Sequence, residues 1–159
     1  RTGHSYIKSK IIETNALLGG EMSGHIFFND DWYGFDDAIY SALRMIEILS
    51  KTKLTSHEVF NSYPKHFSTP EINLKVPEEE KFKIIDELKT LINSSGYVLI
   101  EVDGIRLENE NSWGLIRASN TSPNLVLRFE GKKESDLLEI KNYFKELLSK
   151  IEIDLKLDF

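Results

Sequence analysis

The stretch YVLIEVDGIRLENENSWGLIRASNTSPNLVLRFEG, residues 97–131, decides the fold. Asp103-Gly104 lies between alternating apolar residues, the pattern of a two-residue hairpin. WGLIRAS and NLVLRFEG, on either side of a polar loop, read as two further strands. Upstream, EINLKV (71–76) alternates Ile72, Leu74 and Val76, as a half-buried strand does. Pro77 ends it, and the spacing predicts a helix with Phe82, Ile85, Leu88 and Ile92 on one face. Downstream, a last helix carries Leu137, Ile140, Phe144, Leu148 and Ile151 near one face, with Glu134 and Asp136 in its first turn. The order β-α-β-β-β-β-α predicts an α+β domain over residues 69–159, an antiparallel sheet with flanking helices on one side.

The first fifty residues are of another kind. His4 to Thr14 can form a short helix with Ile7, Ile11 and Ile12 on its apolar side. ALLGGEMSGHIFF (16–28) reads as extended segments broken by glycine. GFDDAIYSALRMIEILS (34–50) reads as a helix, with Ala38, Ile39, Ala42, Leu43, Ile46 and Leu49 at helical spacing and Asp36 and Asp37 at its start. This block, 1–50, is too short to close a core alone and reads as the end of a larger α/β domain. Residues 51–68 form a linker, in which Thr55 and Glu58 have capping-box spacing for a short helix ending before Pro64.

Composition narrows the function classes. The 159 residues are 40% hydrophobic and 29% charged, as in a soluble globular protein. The net charge of −6 argues against a general nucleic-acid or membrane-surface binder, but leaves room for a local basic pocket. Cysteine is absent, which excludes disulfides and thiolate metal sites and suits a cytoplasmic location. No run reaches the ~20 apolar residues of a membrane span. The chain opens at Arg1, without Met, on a Thr-Gly-His-Ser cluster, and so reads as a piece of something longer.

Two stretches carry chemistry-bearing groups. In GGEMSGH (19–25), an extended backbone would turn Glu21, Ser23 and His25 to one face and Met22 and Ile26 toward a core. Three hydrogen-bonding groups about 6–7 Å apart match the spread of hydroxyls on a sugar ring, and the glycines admit a close ligand. On the local pattern alone a plain surface turn is the stronger reading at this point; a metal site is disfavoured for want of a third ligand. In RASNTSPN (117–124), Arg117, Ser119, Asn120 and Thr121, with Arg128 on the next strand, supply the guanidinium forks, hydroxyls and amide that suit a phosphate. The alternative there is a capped hairpin turn with Arg128 exposed. His4 is either a ligand contact or a helix-start residue. His57 and His66 receive no role. Trp113 and the aromatics of HIFFNDDWYGF (25–35) read as core and domain contacts.

TGHSYIK, GGEMSGHIFF with WYGFDDAIYSALRMIEILS, and DGIRL…WGLIRASNTSPNLVLRFEG, in this order, resemble the α-D-phosphohexomutase superfamily, and within it the bacterial phosphomannomutase/phosphoglucomutase branch. The phosphoglucosamine mutases typically carry Gln where Met22 stands and a Pro-Ser-Gly-Thr-type loop where ASNT stands. Arg1 replaces a Lys common before TGHS. The resemblance implies the end of a third domain followed by a fourth with a TATA-binding-protein-like sheet, from a four-domain enzyme. It implies movement of phosphate between O1 and O6 of mannose or glucose phosphates, through a phosphoserine and a bisphosphate. Mg²⁺ assists from an Asp-Gly-Asp-Gly-Asp loop that this sequence lacks.

Carried over, His4, Glu21, Ser23 and His25 would bind the sugar, while Arg117, Ser119, Asn120, Thr121 and Arg128 would hold the phosphate that is not reacting. No catalytic or metal-binding residue is expected in this chain, which alone should be inactive. Its expected partners are phosphohexoses and the preceding domains of the same protein, not nucleic acid or membrane. A non-catalytic phosphosugar- or phosphate-binding module is the alternative.

Overall fold

A computed structural model describes residues 1–93, 96–152, 155, 157 and 159. The chain separates into two compact units, Arg1–Pro64 and Lys65–Phe159.

In the first unit, helix α1 (His4–Thr14) precedes a two-stranded antiparallel hairpin, β1 (Leu18–Gly20) and β2 (Ile26–Phe28), which is followed by α2 (Ala38–Ser50) and α3 (Ser56–Asn61). Ile11 and Phe27 are its buried side chains. Ile12, expected beside Ile11, is 74% exposed, because one residue turns it about 100° away around the helix. Helix α2 starts at Ala38 rather than Gly34: Asp37 is extended and caps the helix, its carboxylate accepting the Tyr40 N–H at 2.9 Å. The apolar stripe of α2 is real, yet Ile39, Leu43 and Ile46 are exposed. Thr55 and Glu58 form the expected capping box at the start of α3. Arg44 of α2 reaches Asp30 at 2.7 Å and lies over the Phe28 ring, which ties α2 to the hairpin. The Asp31 N–H, with Arg44, holds the Asp30 carboxyl below its ordinary range.

The second unit is built on a six-stranded antiparallel sheet. Its strands are β3 (Phe67–Ser68), β4 (Ile72–Lys75), β5 (Val98–Ile100), β6 (Ile105–Glu108), β7 (Ser112–Ala118) and β8 (Asn124–Gly131), with α4 (Lys81–Leu91) and α5 (Glu134–Leu148) between and after them. The order across the sheet is β3-β8-β7-β6-β5, and β4 also pairs β8, so β3 and β4 share one edge of that strand end to end. β3 was not anticipated, since two residues carry no periodicity.

Alternation along β6, β7 and β8 sends Ile105, Leu107, Ile116, Leu125, Leu127 and Phe129 inward against Ile84, Ile85 and Leu88 of α4 and Ile140, Phe144 and Leu148 of α5. The opposite face carries Arg106, Trp113, Leu115, Arg117 and Arg128, all partly exposed. Trp113 is therefore not a core residue; its ring lies under the Arg106 guanidinium at 4.2 Å. Phe82 is also displaced from its expected place: it is 56% exposed, and Lys81 takes the inward position instead. Asp103-Gly104 does not close a two-residue turn. The last β5–β6 pair is Ile100 opposite Arg106, so the connection is longer. Gly104, at φ +84°, lies against β7, where a Cβ would come within 2.3 Å of the Ile116 carbonyl.

Candidate functional site

The hairpin of the first unit reverses within GEMSGH. Gly24 N–H donates to the Glu21 carbonyl (3.0 Å) and Glu21 N–H to the His25 carbonyl (2.9 Å). Gly24 adopts φ +90°, the left-handed position that closes a three-residue hairpin loop. The expected extended run over 20–26 is thus broken, and with it the simple alternation. Met22 is 62% exposed and Ile26 36%, so neither enters a core. The physical reason is Ser23-Gly24, a turn pair that outweighs strand propensity.

Glu21, Ser23 and His25 all lie on or beside this short loop. Glu21 Oε1 accepts the Gly3 N–H at 2.6 Å, which joins the loop to the start of α1. His4, the first residue of α1, presents its ring edge to the buried Phe27 ring at 5.0 Å. His25 Nδ1 lies 2.5 Å from Asp36 Oδ2, and Asp36 Oδ1 accepts the Ile26 N–H at 3.2 Å. One carboxylate therefore fixes both the imidazole and the backbone beneath it. With Nδ1–H donated to Asp36, Nε2 is left for a ligand. The sequence marks Asp36 only as a charge near a helix start; its contact with His25 spans eleven positions, which local spacing does not encode.

In the second unit, Arg117 and Arg128 project from adjacent strands onto the outer sheet face, Arg117 opposite Val126 and Arg128 opposite Leu115. Neither forms an ion pair among the described residues. Two unneutralised guanidiniums on neighbouring strands repel each other, an arrangement that an anion would relieve. The loop after β7 is internally braced. Ser119, 7% exposed, accepts the Thr121 N–H (3.3 Å) and the Ser122 hydroxyl (2.8 Å) at its Oγ, which leaves its own hydroxyl hydrogen to be offered. Asn124 closes the turn on Ser122, with N–H to carbonyl at 2.8 Å. Asn120 and Thr121 are exposed at the tip. His57 and His66, given no role, contact Asn61 and Glu130 respectively.

Among the described residues, no three His, Asp or Glu side chains cluster as a metal site. No helix of the described residues is long and apolar enough to cross a membrane.

A family model described as phosphoglucomutase/phosphomannomutase, alpha/beta/alpha domain III, matches residues 1–67. A second, phosphoglucomutase/phosphomannomutase, C-terminal domain, matches residues 71–147. A phosphomannomutase/phosphoglucomutase from Pseudomonas putida is 50% identical over the whole chain, which covers 34% of that protein. A phosphoglucomutase from Neisseria meningitidis serogroup A is 47% identical over 93% of the chain, which corresponds to 32% of its length. A solved phosphoglucomutase/phosphomannomutase family protein from Burkholderia thailandensis superposes with a TM-score of 0.86 at 41% identity, over 98% of this chain and 33% of that one. The chain thus spans about a third of the length of these relatives.

Proposed function

The chain belongs to the phosphoglucomutase/phosphomannomutase family, and on that premise we propose that it is the substrate-binding part of an isomerase that shifts phosphate between O1 and O6 of a hexose. Residues 1–50 are then the end of the third domain and 69–159 the body of the phosphate-binding domain, with 51–68 between them carrying α3 and, at its end, the strand β3 that joins the second unit's sheet. The observation that carries the reading is the pair Arg117 and Arg128, without carboxylate partners among the described residues, beside the hydroxyl- and amide-rich loop Ser119–Thr121. Guanidinium forks and fixed donors recognise a phosphate dianion by geometry as well as by charge.

Glu21, Ser23 and His25 read sugar hydroxyls from the hairpin loop, and His4 contacts the sugar from the start of α1. Asp36 keeps the His25 ring in register for that role. These groups bind and orient the substrate; binding energy remote from the reacting phosphate is what aligns it for transfer. The phosphoserine and Mg²⁺ of the reaction are supplied by other segments of the full-length cytoplasmic enzyme, and this chain alone turns over no substrate.

The test is titration of the ¹⁵N-labelled chain with inorganic phosphate, glucose 1-phosphate and mannose 1-phosphate. The amides of Ser119–Thr121 shift with all three, and those of residues 21–25 with the sugar phosphates alone. Unmoved amides at Ser119–Thr121 with every ligand would refute the assignment.

A further inference from the structure

Lys81 is charged by nature and 2% exposed, the inward residue at the first turn of α4. A buried ammonium is costly unless its donors are met. Its partners are the Glu78 carboxylate at 2.6 Å and the Ser122 carbonyl at 3.4 Å, with the Phe82 ring centroid at 5.3 Å. Ser122 belongs to the loop that carries Ser119, Asn120 and Thr121, forty-one residues away in sequence. Beside it, the Val76 N–H takes the Pro123 carbonyl at 3.0 Å. Two successive carbonyls of the loop are thereby drawn toward the corner between β4 and α4. Carbonyl oxygens aimed at an anion would repel it; here the Ser122 carbonyl takes the Asn124 N–H at 2.8 Å and, on its other side, the ammonium, while the Pro123 carbonyl takes the Val76 N–H. Among the described residues, the backbone N–H groups of Asn120 and Ser122 have no acceptor, so the loop retains donors for a ligand.

We propose that Lys81 is a positioning residue for phosphate recognition: from within the domain it holds the Ser122 carbonyl inward and sets a positive charge behind the loop. This rests on the reading of residues 117–121 as the phosphate site. Lys81 itself touches no substrate. A solvated lysine at the helix start would do neither, and Glu78, 63% exposed, is screened by water and cancels the charge only in part.

The experiment compares the unmodified chain with Lys81→Met, Lys81→Arg and Glu78→Gln. Amide exchange at Thr121 and Asn124 is read in the ligand-free chain, and inorganic phosphate affinity from shifts at Ser119–Thr121. Lys81→Met keeps the stem and removes the charge. It raises exchange at least about fivefold and weakens phosphate roughly three- to tenfold, while Lys81→Arg recovers most of both. Glu78→Gln removes the neutralising charge but keeps an amide oxygen to accept from the ammonium, and it leaves exchange unchanged and phosphate binding at least as tight. Exchange in Lys81→Met within about twofold of the unmodified chain, or weaker phosphate binding in Glu78→Gln, overturns the proposal. If the unmodified chain binds no phosphate at this loop, the phosphate reading falls. The ligand-free exchange then still decides whether Lys81 positions the loop.

Discussion

Replacing Gly104 by alanine tests how the second unit is built around Arg117. At φ +84° an L-residue costs about 1–2 kcal/mol. The added Cβ would also lie 2.3 Å from the Ile116 carbonyl oxygen, 2.7 Å from Arg117 Cα and 2.8 Å from Arg117 Cβ. Those are atoms of β7, paired on one side with β6 and on the other with β8, so they cannot yield as a side-chain tip would. Relieving such an overlap costs roughly another 1–3 kcal/mol. The sum, about 2–5 kcal/mol, is a large share of the stability of a domain of this size. It corresponds to a fall in melting temperature of roughly 10 °C or more.

The comparison is Gly96→Ala, where φ is +92° but no described atom lies within 4 Å of the Cβ. Only the backbone cost applies there. Denaturation followed by the amide signals of β7 should separate the two variants clearly. Phosphate binding by the folded Gly104→Ala chain should also weaken, because the displaced atom is Arg117 Cα itself. Equal melting temperatures for the two variants would refute the argument that close approach, rather than φ alone, demands glycine at 104.

Asp36→Ala frees the His25 ring and the Ile26 N–H, and should weaken sugar-phosphate binding about tenfold while inorganic phosphate binding, measured in parallel, stays unchanged. Arg128→Ala should weaken phosphate at least about tenfold in the same titration and leave thermal stability within ~0.5 kcal/mol. Thr55→Ala should destabilise α3 by ~1 kcal/mol, read from its amide exchange. The Thr55 N–H and hydroxyl hold the Glu58 carboxyl below its ordinary value of 4.5. The box is therefore complete above that value and is lost as pH falls through the depressed one, so α3 should fray first on acidification. The chain incubated with mannose 1-phosphate should yield no mannose 6-phosphate in a coupled assay; turnover would move the catalytic groups into these residues.

What the sequence discloses depends on the range of the interaction. The stripe Ile140, Phe144, Leu148 in α5 and the alternation in β8 are local periodicities, and both lead straight to the observed core. Phe82 was expected inward because apolar spacing weighs only side-chain type. Lys81 takes the inward place, where its ammonium meets Glu78 three residues back and the Ser122 carbonyl forty-one residues away, and the second partner is invisible to local spacing. The meeting of His25 and Asp36 across a hairpin is invisible for the same reason. GEMSGH shows the opposite failure, where local turn chemistry was present in Ser23-Gly24 but was outweighed by an attractive alternation. The apolar stripe of α2 was legible as amphipathic, whereas its exposure at Ile39, Leu43 and Ile46 is a matter of partners that a single helix does not encode.

The end-to-end sharing of β8 by β3 and β4 has a consequence for behaviour at high concentration. One long strand in that place would offer an uninterrupted row of N–H and carbonyl groups to another molecule. Instead the border is cut into segments of two and four residues, separated by Thr69-Pro70-Glu71, where proline has no hydrogen to give. At the other border, β5 contributes three residues. Short, interrupted margins of this kind resist intermolecular strand pairing, so the domain can display an open, partly apolar sheet face in a crowded cell without templating its own aggregation.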